Sequence, residues 1–407
     1  MGAWQLGISS GTPIDPSGKI GSLDAFSRLR VSEPFSIFDS KQVYDSNPLF
    51  FETFLAGAGA STYVQNKAAT ELTTTVAAGD RAVRQTKRYF NYQSGKSHLL
   101  LATFNFQGLE PNVTKRVGYF DDNNGVFFEA VGATINLVIR SNVSGAPVET
   151  RIPQGSWNID NFDGTGPSQV VFDPTKTQIF ICDFQWLGVG EVRVGTVIDG
   201  VNFYAHQFQH ANNLDVVYMQ TPNLPVRWEI ETTGVAANPA QLDAICCSVM
   251  SEGGIEQSGI IRSADNGVTT RIIGATLTPL ISIRLKASHN RQTVIPTGLS
   301  MVATTGANLR WAVLLNPTIV TPPAAVWASV SDAIEADVAR TGAVTGGTQI
   351  ASGYMSNNVD LANAALSSQL VLASDFAGVA DELVLCAHKI GGGTETVAGG
   401  LSWVEVQ

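Results

Sequence analysis

Two acidic loops hold the residues best able to do chemistry. The first lies in GYFDDNNGVFFE (118–129), where Asp121 and Asp122 precede Asn123, Asn124 and Gly125. An EF-hand-like calcium loop needs oxygen ligands at positions 1, 3 and 5, glycine at 6 and a carboxylate at 12. Counting from Asp121, position 5 is Gly125 and position 12 is Gly132, so the pattern fails. Asn124-Gly125 is instead a strong hairpin signal, because both central positions of a type I′ turn need positive φ. The second loop, NIDNFDGTGPS (158–168), carries Asp160 and Asp163. Carboxylates from two loops could hold calcium or act as acid and base on a sugar. Turn chemistry at Asp163-Gly164 and Gly166-Pro167 is the blander account. Asp121, Asp122, Asp160 and Asp163 therefore form an expected acidic rim, with no catalytic, cofactor or metal role assigned.

Other pairings carry less. His206 and His210 sit on an alternating segment, roughly 13 Å apart along a strand, too far to share an ion with bonds of about 2 Å. SGKS (94–97) has Phe90 where a phosphate loop needs glycine, and GVGEVR (188–193) has Arg193 where a dinucleotide fingerprint needs a small residue. No nucleophile elbow or zinc motif is present. Cys182, Cys246, Cys247 and Cys386 include no CxxC pair and read as buried free thiols. The tryptophans lie in or beside strand-like runs, where packing in cores or interfaces outweighs sugar stacking. The expectation is that the chain is not an enzyme and needs no cofactor.

The bulk composition points to assembly. Of 407 residues only 15% are charged while 44% are hydrophobic, against roughly 25% charged in average globular domains. So little charge suits a surface covered by neighbours, and so much apolar residue argues against disorder. The net charge is −10, and residues 101–260 alone hold 17 acidic and 7 basic side chains. No basic stripe follows a phosphate backbone, so no nucleic-acid partner is expected. MGAWQLGISSG has neither the charged nor the apolar region of a signal peptide, and no run approaches the roughly 18 apolar residues of a membrane span.

Positioning elements follow from periodicity. Residues 1–20 are rich in Gly, Ser and Pro, lack a period and read as an extended arm. Leu29 and Val31 alternate with Arg28 and Arg30 in a short strand that Pro34 breaks. Residues 56–80 read as a loop and strand edge. From residue 81, short β-branched and aromatic runs recur between turn signals, among them HLLLATFNF (98–106), TINLVIRS (134–141), QVVFDP (169–174) and PVRWEIETTG (225–234). Asp199-Gly200 marks a tight hairpin. A second series of such runs follows residue 260. SVSDAIEADVAR (329–340) fits a helical stripe and a strand equally well. The fold expected is all-β: an N-terminal arm and anchoring segment (1–50), then two tandem antiparallel β-sandwich or jelly-roll-like domains (51–260, possessing a lectin-like outline, and 261–407).

LDAFSRLRVSEPFSIFDSKQ, RQTKRYFNYQSGKSHLLLATFNF, GYFDDNNGVFFE, WLGVGEVRVGTVIDGVNFYAHQF and TPNLPVRWEI together resemble a group of virion structural proteins of tailed bacteriophages. The resemblance covers most of residues 22–260 and, more weakly, 270–407. It implies a virion component synthesised and assembled in the host cytoplasm, in the tail or its fibres, that contacts copies of itself and other virion proteins. Arg28 and Arg30 would be pairing residues of the anchor. The alternatives are a head decoration or shell protein, and a module binding a host glycan or receptor. The family offers no catalytic residue to carry over.

Overall fold

The computed structural model describes residues 34–254, 259–267, 270–320, 322–356, 364–366 and 370–406. Arg28 and Arg30, with the whole segment up to residue 33, lie outside the described residues. The described chain is all-β: no α-helix forms, and the remaining regular elements are three short 3-10 turns. No helix among the described residues is long and apolar enough to cross a membrane.

Two facing antiparallel sheets enclose the first core. The eight-stranded sheet runs β13 (Val201–Phe208), β12 (Val192–Ile198), β11 (Gln178–Phe184), β6 (Ser97–Asn105), β15 (Ala240–Glu252), β4 (Ala69–Thr74) and β3 (Ala60–Val64). The eighth strand, β1 (Pro34–Lys41), shares an edge of the long β15 with β4. The seven-stranded sheet runs β10 (Val148–Pro153), β9 (Thr134–Ser141), β8 (Gly125–Val131), β7 (Val113–Phe120), β14 (Val226–Thr232), β5 (Arg81–Thr86) and β2 (Phe51–Ala56). The chain switches sheets between β4 and β5, β5 and β6, β6 and β7, and again around β14, as in a jelly roll. Alternate residues of both sheets, such as Leu100, Phe104, Phe180, Val117, Phe128 and Trp228, meet in one buried cluster. That is the period-two burial a sandwich requires.

A second pair of sheets has its own core. One runs β16 (Gly259–Asp265), β28 (Glu395–Val406), β19 (Val294–Ala303) and β26 (Ala364–Ala365), with β17 (Arg271–Ile273) also on β28. The other runs β22 (Ala328–Ser329), β23 (Ile334–Asp337), β18 (Thr278–Leu285), β27 (Glu382–Lys389), β20 (Leu309–Leu315) and β25 (Thr348–Met355). A small ribbon pairs β21 (Thr318–Ile319) with β24 (Val344–Thr345). Trp403, Leu401, Ile283 and Leu385 anchor this core. The ambiguous 329–340 segment contains β23, whose Ile334 is buried against β18.

Four readings change. Pro34 is paired within a strand rather than breaking one, which an edge strand tolerates. The chain is thus part of the first sandwich from Pro34 onward, well inside the expected arm of residues 1–50. Residues 56–80, read as a loop and strand edge, contain two paired strands, β3 and β4, with Thr70 and Thr74 buried and Thr62 exposed. QVVFDP forms only an isolated bridge, Asp163 to Val171, while the polar VETRIP makes β10. The alternation over residues 201–210 is broken by a bulge at Ala205, whose carbonyl accepts the amides of Ile159 and Asp160 (both 3.1 Å). Asp199-Gly200 does form the tight turn, with φ of 50° and 79° and Ile198 paired to Val201.

Glycine is demanded at 118, in the middle of β7. A Cβ there would lie 2.4 Å from the Val126 carbonyl oxygen and 2.6 Å from the Phe127 Cα. Gly118→Ala should cost about 1–3 kcal/mol, the usual penalty of overpacking. Gly155→Ala, which meets nothing within 4 Å, should leave the urea midpoint unchanged. Equal midpoints for the two variants would remove the packing argument.

Candidate functional site

The outer face of the seven-stranded sheet should be its solvent face, yet it is largely buried. Register alone sets one row across all seven strands: Glu52, Gln85, Arg227, Gly118, Phe127, Val138 and Arg151. The next row in the same sense carries Phe54, Val83, Glu229, Arg116, Glu129 and Asn136. Arginines and glutamates thus alternate along and across the strands, where opposite charges on neighbouring strands attract.

Glu229 is the centre. Its carboxylate accepts from Arg116 Nη1 (2.6 Å), Arg81 Nη2 (3.1 Å) and Arg227 Nη1 (3.3 Å). Burial alone would raise its pKa, but the three guanidiniums hold it far below the ordinary carboxylate range. Arg116 Nε also donates to Glu129 (2.8 Å), which accepts from Arg151 Nε on its other oxygen (2.8 Å). Arg140 donates from Nε (2.8 Å) and Nη2 (2.6 Å) to one oxygen of Glu149. A separate buried cluster of Phe120, Phe127 and Val138 lies among these groups, with Arg227 over Phe120 (5.3 Å) and Arg140 over Phe127 (5.0 Å).

The DDNNG hairpin clamps one end of this lattice. Asp122 accepts from Arg227 Nη1 (2.6 Å) and Arg81 Nη2 (3.1 Å), and the Asp121 carbonyl accepts from Arg140 Nη1 (2.6 Å). Burial would raise the Asp122 pKa, yet the two arginines hold it below its ordinary value. The turn itself is not the expected two-residue type I′. Asp121 Oδ1 accepts the Asn123 and Asn124 amides (both 2.8 Å), so residues 121–124 form a four-residue loop and Phe120 pairs with Gly125. The side-chain acceptor wins because it satisfies two amides locally. Asn124 Oδ1 is buried and accepts the amides of Asn142 and Gln220 (both 3.1 Å). Gly125 is required for a different reason, since a Cβ would lie 2.1 Å from that of Phe120.

Asp160 and Asp163 serve another loop. Asp160 accepts the amides of Phe162 (2.9 Å) and Ser168 (2.7 Å), and Asp163 accepts the amide and hydroxyl of Thr165 (2.8 and 2.7 Å). For Asp160 burial opposes these bonds, but both carboxyls are held below their ordinary values. No interaction joins this pair to Asp121 or Asp122, so the four acids make two loop braces. His206 and His210 also act apart. His206 Nδ1 accepts the Asn158 amide (3.1 Å), and His210 stacks on Tyr218 at 4.0 Å. Burial lowers both pKa values. Among the described residues no group of three or more His, Cys, Asp or Glu is placed to hold a metal.

Sequence reasoning passed over a polar cleft of about 540 Å³ between the two sandwiches. Asp121, Tyr89 and Asn223 line it from the first, and Arg291, His289 and Asp332 from the second. The Arg291 guanidinium lies 4.7 Å over the Tyr89 ring, and Thr293 Oγ1 donates to the Tyr89 carbonyl (3.0 Å). Neither Arg291 nor Asp332 has a side-chain hydrogen bond or ion pair among the described residues. Nearby, Phe376 packs on Phe54 (5.5 Å) and under Arg227 (5.4 Å), sealing the lattice from the second sandwich. No run of sequence signals this cleft, because its walls come from segments some 200 residues apart.

Neither a protein-family model nor a curated protein matches this sequence. Similar solved structures include a protein of unknown function from Shewanella oneidensis MR-1 (8% identical, covering 60% of this chain and 98% of that one, TM-score 0.37). A glycosyl hydrolase family protein from Mycobacterium fortuitum is 11% identical over 53% of this chain and 99% of its own (TM-score 0.36). A β-1,3-glucanase from Mycobacterium marinum is 11% identical over 53% and 98% (TM-score 0.32). The expectation that the chain is not an enzyme is withdrawn on this finding. Chains named as glycosyl hydrolases stand among its structural neighbours, so an all-β chain without a short catalytic motif is no ground for excluding one. At this level of similarity no activity passes to the present chain.

The lattice yields two stability predictions. Glu229→Ala leaves the buried Arg227 and the half-buried Arg116 and Arg81 short of their shared carboxylate and should cost about 3–5 kcal/mol, read as a lower thermal midpoint. A midpoint within a degree of wild type would show that the lattice does not hold the sheet. Glu52 is the contrasting case. It receives only Gln85 Nε2 (2.6 Å) on one oxygen, and burial pushes its pKa from 4.5 to about 7. Between those values the folded state binds more protons than the unfolded, so stability falls as pH rises through the window, by about 3 kcal/mol in all. Glu52→Gln keeps the acceptor and should gain on wild type progressively from pH 5 to pH 8. A constant difference across that range would sink the assignment.

Proposed function

We propose that this chain is a structural subunit of a tailed-phage particle, in the tail or its fibres, and works through contacts between copies. The observation that carries the reading is the outer face of the sheet containing β16, β17, β28 and β19. Solvent faces of antiparallel sheets are normally polar. Here Ile261 opposes Val404, Val302 opposes Ala398, and Ile272 opposes Thr396, which places them all on one face. Ile261 is 76% exposed and Ile272 67%, on the two edge strands. Exposed aliphatic side chains beside an open edge are a liability unless another subunit covers them, although Ser263, Asp265, Ser300 and Ser402 share this face. The 15% charge content points the same way, and so does the resemblance to virion structural proteins. A neighbouring copy is the occupant this reading assigns.

A second reading rests on the junction cleft. Its unpaired Arg291 and Asp332 beside the Tyr89 ring offer the polar and aromatic groups that a host glycan would use. Saturable binding of host surface glycan, lost on Arg291→Ala, would favour it.

The assembly reading expects concentration-dependent oligomers in sedimentation velocity. Ile261→Asp combined with Ile272→Asp should give a monomer with an unchanged far-ultraviolet spectrum. Quantitative mass spectrometry of particles whose genome encodes the chain should find it at a fixed copy number. A wild-type monomer at all concentrations, absent from particles, would overturn the reading.

A further inference from the structure

The first sandwich is unfinished at one corner. Among the described residues strand β10 is an edge of the seven-stranded sheet and pairs only with β9. Its Thr150 lies opposite Ile139, a core residue, so Val148 and Thr150 hold core-face positions. Yet Val148 is 57% exposed. Between β10 and the 208–218 segment the core opens into a groove of about 700 Å³. Leu214 and Val216 form its far wall, and Tyr218, stacked on His210, lies at its floor. No Asp, Glu, Lys or Arg lines it.

We propose that this groove receives the segment Trp4–Ile8 of this same polypeptide, docked as an added strand on the edge of β10. Three observations select the occupant. First, Trp4, Leu6 and Ile8 fall at alternate positions in WQLGI, which gives an extended segment one apolar side for the groove and leaves its backbone to pair with the open edge. Second, residues 1–14 contain no Asp, Glu, Lys or Arg, whereas residues 15–33 contain six. The uncharged stretch therefore matches the uncharged groove. Third, the described chain begins at the right end of the molecule. Phe35, Ser251, His98, Phe184, Val192 and Phe208 form one transverse row. The groove thus lies five strand spacings from the start of β1, roughly 24 Å. The 25 residues from 9 to 33 can span up to about 80 Å, enough to reach the groove of the same sandwich or of an adjacent copy.

The inference stands apart from the assembly reading, since docking within one chain satisfies it as well as docking between copies. The test uses the full chain with a photo-crosslinking phenylalanine analogue at position 4. Irradiation should join position 4 to residues 139–150 or 208–218, mapped by mass spectrometry. Val216→Asp, at an exposed position, should lower that yield at least tenfold while the thermal midpoint stays within a few degrees. Crosslinks to other regions, no crosslink, or a yield indifferent to Val216→Asp would each overturn the proposal. Loss of self-association alone would not.

Discussion

A carboxylate cannot be buried without compensation, and Glu229 is buried in the middle of a sheet. Its three guanidiniums come from β5, β7 and its own strand β14. A register slip of one residue on either neighbour would carry the arginine to the core face and strand the charge. The ion lattice therefore specifies strand pairing in a way that an aliphatic face could not. It also gathers part of the acidity of residues 101–260 onto one sheet face. Asp122, Glu129, Glu149, Glu229 and Glu231 are drawn together by Arg81, Arg116, Arg140, Arg151 and Arg227. Glu52 shows what the lattice prevents. It sits in the same row as Arg227, but its hydrogen-bond donor is the amide of Gln85, and burial pushes its pKa up to about 7.

The same constraint reaches the second sandwich. Phe376 closes over Arg227 and Phe54, so the lattice is completed by a residue of the second sandwich. Arg291 and Thr293 meet Tyr89 a short way along the same junction. The cleft between the sandwiches is thus bounded by groups that also hold them together. The surfaces that remain open are of another kind, an aliphatic sheet face on the second sandwich and an uncharged groove on the first.

Much of the frame was legible before any coordinates. Period-two runs such as SHLLLATFN and TINLVIRS became strands because alternate burial is a local property. The misreadings share a cause. VETRIP, passed over because its residues are largely polar, is a strand whose Glu149 and Arg151 face the lattice. QVVFDP looked apolar enough, yet it only props the Asp163 loop through a single bridge. Asn124-Gly125 carried a turn signal that the Asp121 carboxylate overrode. In each case the deciding partner lies outside the window that was read.

Residue order by itself determined that this chain is all-β and that DDNNG is a hairpin tip. These depend on neighbours a few positions apart, where backbone preference and alternation suffice. Tertiary structure decided what the charges do. The five arginines look unremarkable in sequence, and the acids of DDNNG suggested a ligand site. Folding placed both on one sheet face, where low exposure makes each charge depend on the other. Coulombic pairing acts over a few ångströms of space, not of sequence, so only the fold could turn a scattered set of acids and bases into a single structural element.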